Sequence, residues 1–150
     1  MSLQDRITPD LKDAMRAKDQ AALRGIRAIK NAILLQKTDG SGQELDEAGE
    51  IALLQKLVKS RQESIAIYEE QGREDLAAPE RDEVEVISRY LPEQLSDEKL
   101  EALVKEVIAE TGASSMRDMG RVMGQANARV AGRADGKQVA DTVKRLLTQG

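Results

Sequence analysis

The sequence predicts an all-α protein, with an N-terminal bundle of four helices followed by a small C-terminal domain of three. Three observations carry this. Apolar residues recur at three- and four-residue spacing in almost every segment, and none shows sustained strand alternation. Capping residues and glycines punctuate the pattern at helix-length intervals. The chain has 150 residues with 40% apolar and 33% charged content, enough for one compact domain or two small water-soluble ones.

Ser2 and Asp5 have the spacing of a capping box for a first helix, with Leu3, Ile7, Leu11 and Met15 as its apolar stripe. Pro9 falls inside that stripe, so the helix is expected to start late or bend. Asp19 is the expected N-cap of a second helix that turns Leu23, Ile26, Ile29 and Ile33 inward. The segment TDGSG at 38–42 reads as a turn. A long third helix follows, with Ile51, Leu54, Val58, Ile65 and Tyr68 in register and Gly72 at its end. Pro79 suits the first turn of a fourth helix carrying Val84, Ile87 and Leu91.

Pro92 interrupts the pattern, and Ser96-Asp97-Glu98 starts a new helix, which places a domain boundary near 92–96. The expected domains are therefore 1–92 and 96–150. The fifth helix buries Leu100, Leu103, Val104, Val107 and Ile108 and stops at Gly112. Ser115 and Asp118 make a capping box for the sixth, and Asp135 caps the seventh, with Val139, Val143, Leu146 and Leu147 inward.

Composition excludes several functions. Cysteine and histidine are both absent, which removes thiolate chemistry, the commonest general base and the commonest metal ligand. Lack of cysteine suits the cytoplasm, and the N-terminus, with acids and no apolar core, is not expected to be a signal peptide. No apolar run is long enough for a membrane span. Only Tyr68 and Tyr90 are aromatic, so no base-stacking platform is expected. Net charge is −4, against general binding to nucleic acid, but the charge is uneven. Residues 1–95 carry 14 basic and 19 acidic side chains, whereas from Thr111 onward there are 7 basic and 3 acidic.

The basic character centres on the sixth helix. Met116, Met119, Met123, Ala126 and Val130 share one face, read as core. Arg117, Arg121 and Arg129 lie along a second face, with Gln125 in the missing place. Gly120, Gly124 and Ala128 form a third line. Each helical glycine costs about 1 kcal/mol against alanine, a cost that close backbone approach would offset. Either the fifth or seventh helix packs on that line, or a phosphate backbone does. Spacing alone favours packing. GRADGK at 132–137 has three residues between its glycines and Gln138 after the lysine, so it is no nucleotide-binding P-loop. It reads as a turn, leaving a helix N-terminus flanked by Arg133 and Lys137 that attracts phosphate.

Elsewhere, Arg24, Arg27 and Lys30 form a basic stripe of the kind usually solvated. Arg61 stands in an apolar register and is expected to pair with an acid of the fourth helix or to snorkel. Glu80, Asp82, Glu83 and Glu85 read as surface, since no histidine or nucleophile accompanies them. No catalytic residue, metal site or cofactor is expected.

Several segments together resemble the GatB/YqeY family, specifically its stand-alone YqeY-like members: DLKDAMRAKDQAALRGIRAIKNAI, KSRQESIAIYEEQGREDLA, the LPEQLS hinge, GASSMRDMGRVMG and GRADGK. The resemblance covers the whole chain. It implies a helical N-terminal bundle joined to a three-helix domain like the tail of the GatB component of the aspartyl/glutamyl-tRNA amidotransferase. In those larger proteins the tail contacts the folded body of the tRNA and catalysis lies elsewhere. A non-catalytic tRNA-binding module is therefore expected, using Arg117, Arg121, Arg129, Arg133 and Lys137 on phosphates, with Gly120 and Gly124 permitting approach. The resemblance thus shifts the glycine line from packing towards RNA contact. The alternative is a module that docks on an amidotransferase or aminoacyl-tRNA synthetase. Amide transfer by the chain itself, as a carbon–nitrogen ligase, has the least support. A monomer is expected.

Overall fold

The computed structural model describes residues 1–37 and 45–149, and among these it is helical without strands. The helices are α1 (Leu3–Ala17), α2 (Gln20–Lys37), α3 (Glu47–Glu70), α4 (Glu74–Ser88), α5 (Asp97–Thr111), α6 (Met119–Val130) and α7 (Gly136–Gln149). A short 3-10 turn, Met116–Asp118, leads into α6. The chain divides into two compact units, Met1–Leu91 and Pro92–Gly150. No described helix is long and apolar enough to cross a membrane. The expected turn at 38–42 lies outside the described residues.

In the first unit, Ser2 and Asp5 form their capping box, with the Asp5 amide donating to Ser2 Oγ at 3.1 Å and the Ser2 amide to Asp5 Oδ2 at 3.2 Å. That closure starts α1 at Leu3, and the helix runs on through Pro9 rather than starting after it. Leu3, Ile7 and Ala14 are buried, while Met15 is 49% exposed. Geometry explains the correction. A stripe of strict four-residue steps drifts about 40° per step, so by its third step it has left the face that Ala14 keeps. Asp19 caps α2 through the Ala22 amide, and Leu23, Ile26, Ile29 and Ile33 all enter the core.

α2 lies close against α4 because Gly25 has no side chain. A Cβ there would stand 2.6 Å from Val86 Cγ1. Glu83 of α4, expected on the surface, is instead mostly covered and lies between Arg24 Nε at 4.0 Å and Arg61 Nη2 at 3.6 Å. It thereby joins α2, α3 and α4 electrostatically. Arg61 Nη1 also donates to the Leu57 carbonyl at 3.1 Å, so the apolar-register arginine is paired.

α4 begins five residues before Pro79, which therefore sits inside the helix and not in its first turn. The Arg73 carbonyl accepts from the Leu76 and Ala77 amides at 3.1 Å each, and the Arg73 guanidinium grips Asp75. Glu74 and Asp75 then place negative charge at the helix start, where the peptide dipoles favour it. Of the expected α3 stripe only Leu54 is fully buried.

In the second unit α5, α6 and α7 pack pairwise around Leu100, Val104, Val107, Val122, Ala126, Val130, Ala134, Val139, Val143 and Leu147. Ser96 caps α5 through the Lys99 amide at 3.2 Å, and Gly112 ends it with φ +68°. The residues before α5 are tied to the turn after α6, with the Leu95 amide donating to the Arg133 carbonyl at 2.7 Å.

Candidate functional site

The centre of the α6 core face is Val122, Ala126 and Val130. Met119 and Met123 pack at its edge, and Met116 is 40% exposed. The core face is thus displaced from the methionine line that spacing suggests. The 3-10 turn has fewer residues per turn than an α-helix, so Met116 falls out of the register that α6 sets. Ser115 Oγ accepts from the Arg117 amide at 3.3 Å, and Asp118 Oδ2 accepts from the Ser114 amide at 3.0 Å. The Ser115/Asp118 pair therefore nucleates the turn in a form shifted from a simple capping box.

With the core face fixed, the opposite side is open. Gly120 and Gly124 are exposed, and a Cβ built at either would meet nothing within 4 Å. Neither α5 nor α7 packs on the glycine line. Arg117 and Arg121 lie exposed on the adjacent ridge. Arg121 Nη2 reaches Asp118 Oδ1 at 3.1 Å, an exposed contact that solvent screens strongly. Arg117, in the 3-10 turn, and Gly120, Arg121 and Gly124, in α6, are therefore all accessible.

The other three expected site residues are placed differently. Arg129 is partly covered and ion-paired to Glu110 of α5, which raises the pKa of its guanidinium. Arg133 is folded back onto the end of α6. Its Nε donates to the Val130 carbonyl at 3.0 Å and its Nη2 to the Arg129 carbonyl at 2.7 Å. These bonds satisfy carbonyls that the helix end leaves without partners. Lys137 is exposed in the first turn of α7. At the N-terminus of α7 the expected Asp135 cap forms. The Asp135 carboxylate accepts from the Gln138 amide at 2.7 Å and Gln138 Oε1 accepts from the Asp135 amide at 3.3 Å. The Asp135 carboxylate thus places negative charge at the positive end of the helix dipole.

One concavity has no counterpart in the sequence reading. A groove of about 630 Å³ in the first unit is lined by α1, the start of α2 and the end of α4. Tyr90 is among its lining residues. Its hydroxyl donates to Asp10 Oδ2, its ring lies 5.3 Å from the Arg6 guanidinium carbon, and Arg6 Nη1 donates to its carbonyl at 3.3 Å. Burial, then the Asp10 contact, push the phenol well above its ordinary pKa of 10.0. In the groove the polar groups of Arg6, Asp10 and Tyr90 satisfy one another. No signal could have found it, since Asp10 and Tyr90 are 80 residues apart in the chain. Among the described residues, no group of three or more His, Cys, Asp or Glu side chains could hold a metal ion.

A family model described as Yqey-like protein matches residues 4–147. The chain is also similar to three fungal proteins named "Altered inheritance of mitochondria protein 41, mitochondrial". The protein of Pyrenophora tritici-repentis is 32% identical over 145 residues, which cover 95% of this chain and 79% of that protein. For Vanderwaltozyma polyspora the figures are 32% over 117 residues, 73% and 63%, and for Lachancea thermotolerans 33% over 108 residues, 71% and 58%. The match therefore spans less than two thirds of the latter two proteins. These relatives are named as mitochondrial, which overturns the cytoplasmic setting expected from composition. Lack of cysteine is compatible with any reducing compartment and could not separate the two.

Proposed function

The chain belongs to the YqeY-like family, and from that premise we propose that it is a non-catalytic tRNA-binding accessory module, resembling the tRNA-binding tail of the glutamine-dependent aspartyl/glutamyl-tRNA amidotransferase. In this reading the three-helix C-terminal part binds RNA, and the four-helix N-terminal bundle, which carries the excess acid, does not. One observation supports it above the rest: Gly120 and Gly124 occupy an exposed helix face with no protein neighbour. Packing therefore gives no return on their helix-propensity cost, and a phosphate backbone lying along the face would. Arg117 and Arg121 flank the line with long, exposed guanidinium groups suited to bidentate phosphate contact. Recognition of a folded RNA by shape uses phosphates and ribose hydroxyls and needs no aromatic platform.

Arg129, Arg133 and Lys137 enter this proposal in second rank. Arg133 contributes by shaping the end of α6, and Arg129 binds phosphate only by exchanging Glu110 for it. The testing variant is Arg117→Gln with Arg121→Gln. It should keep its helical content and urea midpoint while tRNA affinity falls about tenfold or more. Unchanged affinity in the folded double variant would remove this face from the site.

A further inference from the structure

A second surface stands out in the N-terminal unit, independent of the RNA reading. α3 has 24 residues, roughly 36 Å of helix. It gives the hydrophobic core only Leu53, Leu54, Leu57 and Val58, and α4 gives it only Val86 and Ile87. Beyond the Arg61–Glu83 pair, residues 62–81 thus form a helical hairpin extending past that core. Ala77 is the one residue there that is fully buried. Two-helix extensions with so little burial are marginal on their own. This one is braced by charge. Arg81 spans Glu69 at 2.6 Å and Glu74, and Arg73 holds Asp75 at 2.9 Å. Those pairs raise both arginines' pKa and hold Glu74 and Asp75 below their ordinary values.

The braces consume both arginines and leave the outside acidic. Residues 62–81 hold six acids and two bases, a net −4 that equals the charge of the entire chain. Glu63 and Glu70 are exposed without an ion-pair partner among the described residues. Set among these charges, Ile67 is 53% exposed and Leu76 38%. Large apolar side chains on a stiffened acidic projection are the pattern of a contact surface. The sign of the charge argues against nucleic acid and against an anionic lipid surface.

We propose that the tip of the α3–α4 hairpin docks a protein partner through a basic amphipathic segment, whose apolar residues cover Ile67 and Leu76 and whose lysines or arginines meet the surrounding carboxylates. Electrostatic complementarity of this kind steers association and weakens with salt.

The probe is a helical peptide of leucine and lysine in amphipathic spacing, with a leucine–glutamate peptide of the same spacing as control, read by fluorescence anisotropy on the full chain. The lysine peptide should bind and the glutamate peptide should not. Ile67→Ser with Leu76→Ser, and separately Glu63→Gln with Glu70→Gln, should each weaken binding about tenfold with the urea midpoint unchanged. Asp13→Asn with Asp141→Asn removes two exposed acids elsewhere and should leave binding as it was. Equal loss in that last variant would mean general charge attraction and overturn the site, as would absence of binding to the wild type. A self-associating chain in sedimentation, dispersed by the hairpin variants, would replace the proposed partner with a second copy.

Discussion

Replacing Gly124 by alanine separates packing from binding in one experiment. Gly124 lies in the middle of α6, and the added methyl meets no atom within 4 Å. The substitution therefore carries only the propensity gain, about 1 kcal/mol for an exposed helix interior. For a domain of this size that raises the urea midpoint by about 0.5–1 M. Gly120 stands second in α6, where helix ends fray, so its gain should be smaller, about 0.5 kcal/mol. Urea unfolding followed by circular dichroism reads the stability, and anisotropy with labelled tRNA reads the binding. Gly124→Ala should be more stable and should bind tRNA about tenfold less well. A variant that gains no stability would refute the description of this face as open. One that gains stability and keeps full affinity would refute the assignment of the glycine line to RNA.

Gly25→Ala should behave in the opposite way, because its methyl collides with Val86. Overpacking of about 1–3 kcal/mol outweighs the propensity gain, and Gly25→Ala with Val86→Ala should recover part of the loss in urea titrations. Arg133→Ala should lower the stability of the C-terminal unit by about 1–2 kcal/mol through two lost bonds to α6 carbonyls. Arg117→Ala should stay within about 0.5 kcal/mol of wild type. The Ser114 amide, followed by the Ser115 amide and Arg121, holds the Asp118 carboxyl below its ordinary 3.8. A lowered folded-state pKa stabilises above that ordinary value and stops doing so as pH falls through the lowered one. Acid unfolding below about pH 4 should therefore be shallower in Asp118→Asn than in wild type.

Much of the fold is legible in the sequence, and the places where it is not have physical causes. Ser2, Asp19, Ser96 and Asp135 each bond the amide three residues on, so local chemistry fixes those helix starts. Stripes in helices enclosed by neighbours, such as Ile26, Ile29 and Ile33, read correctly because burial follows period. The start of α4 is hidden because Pro79 is a more conspicuous signal than Arg73, whose carbonyl accepts the first amides of the helix and whose side chain makes no cap. The α6 register is obscured because a 3-10 turn changes the residues per turn where the pattern is being counted. In the candidate site, the exposed quartet Arg117, Gly120, Arg121 and Gly124 is visible as two lines on a helix. That Arg129 is engaged by Glu110 depends on a tertiary neighbour, on which spacing carries no information, whereas Arg133 turns back onto carbonyls three and four residues earlier.

The most direct test of the central claim is a salt titration of binding to total tRNA, with duplex DNA as control. Each phosphate contact steepens the slope of log K against log salt by about 0.7–0.9. Binding to tRNA is expected with a slope near −2 or steeper, with weak binding to duplex DNA and a slope flatter by about 1.4–1.8 in the Arg117→Gln, Arg121→Gln variant. No binding to tRNA at low salt, or a slope that the double variant leaves unchanged, would contradict it.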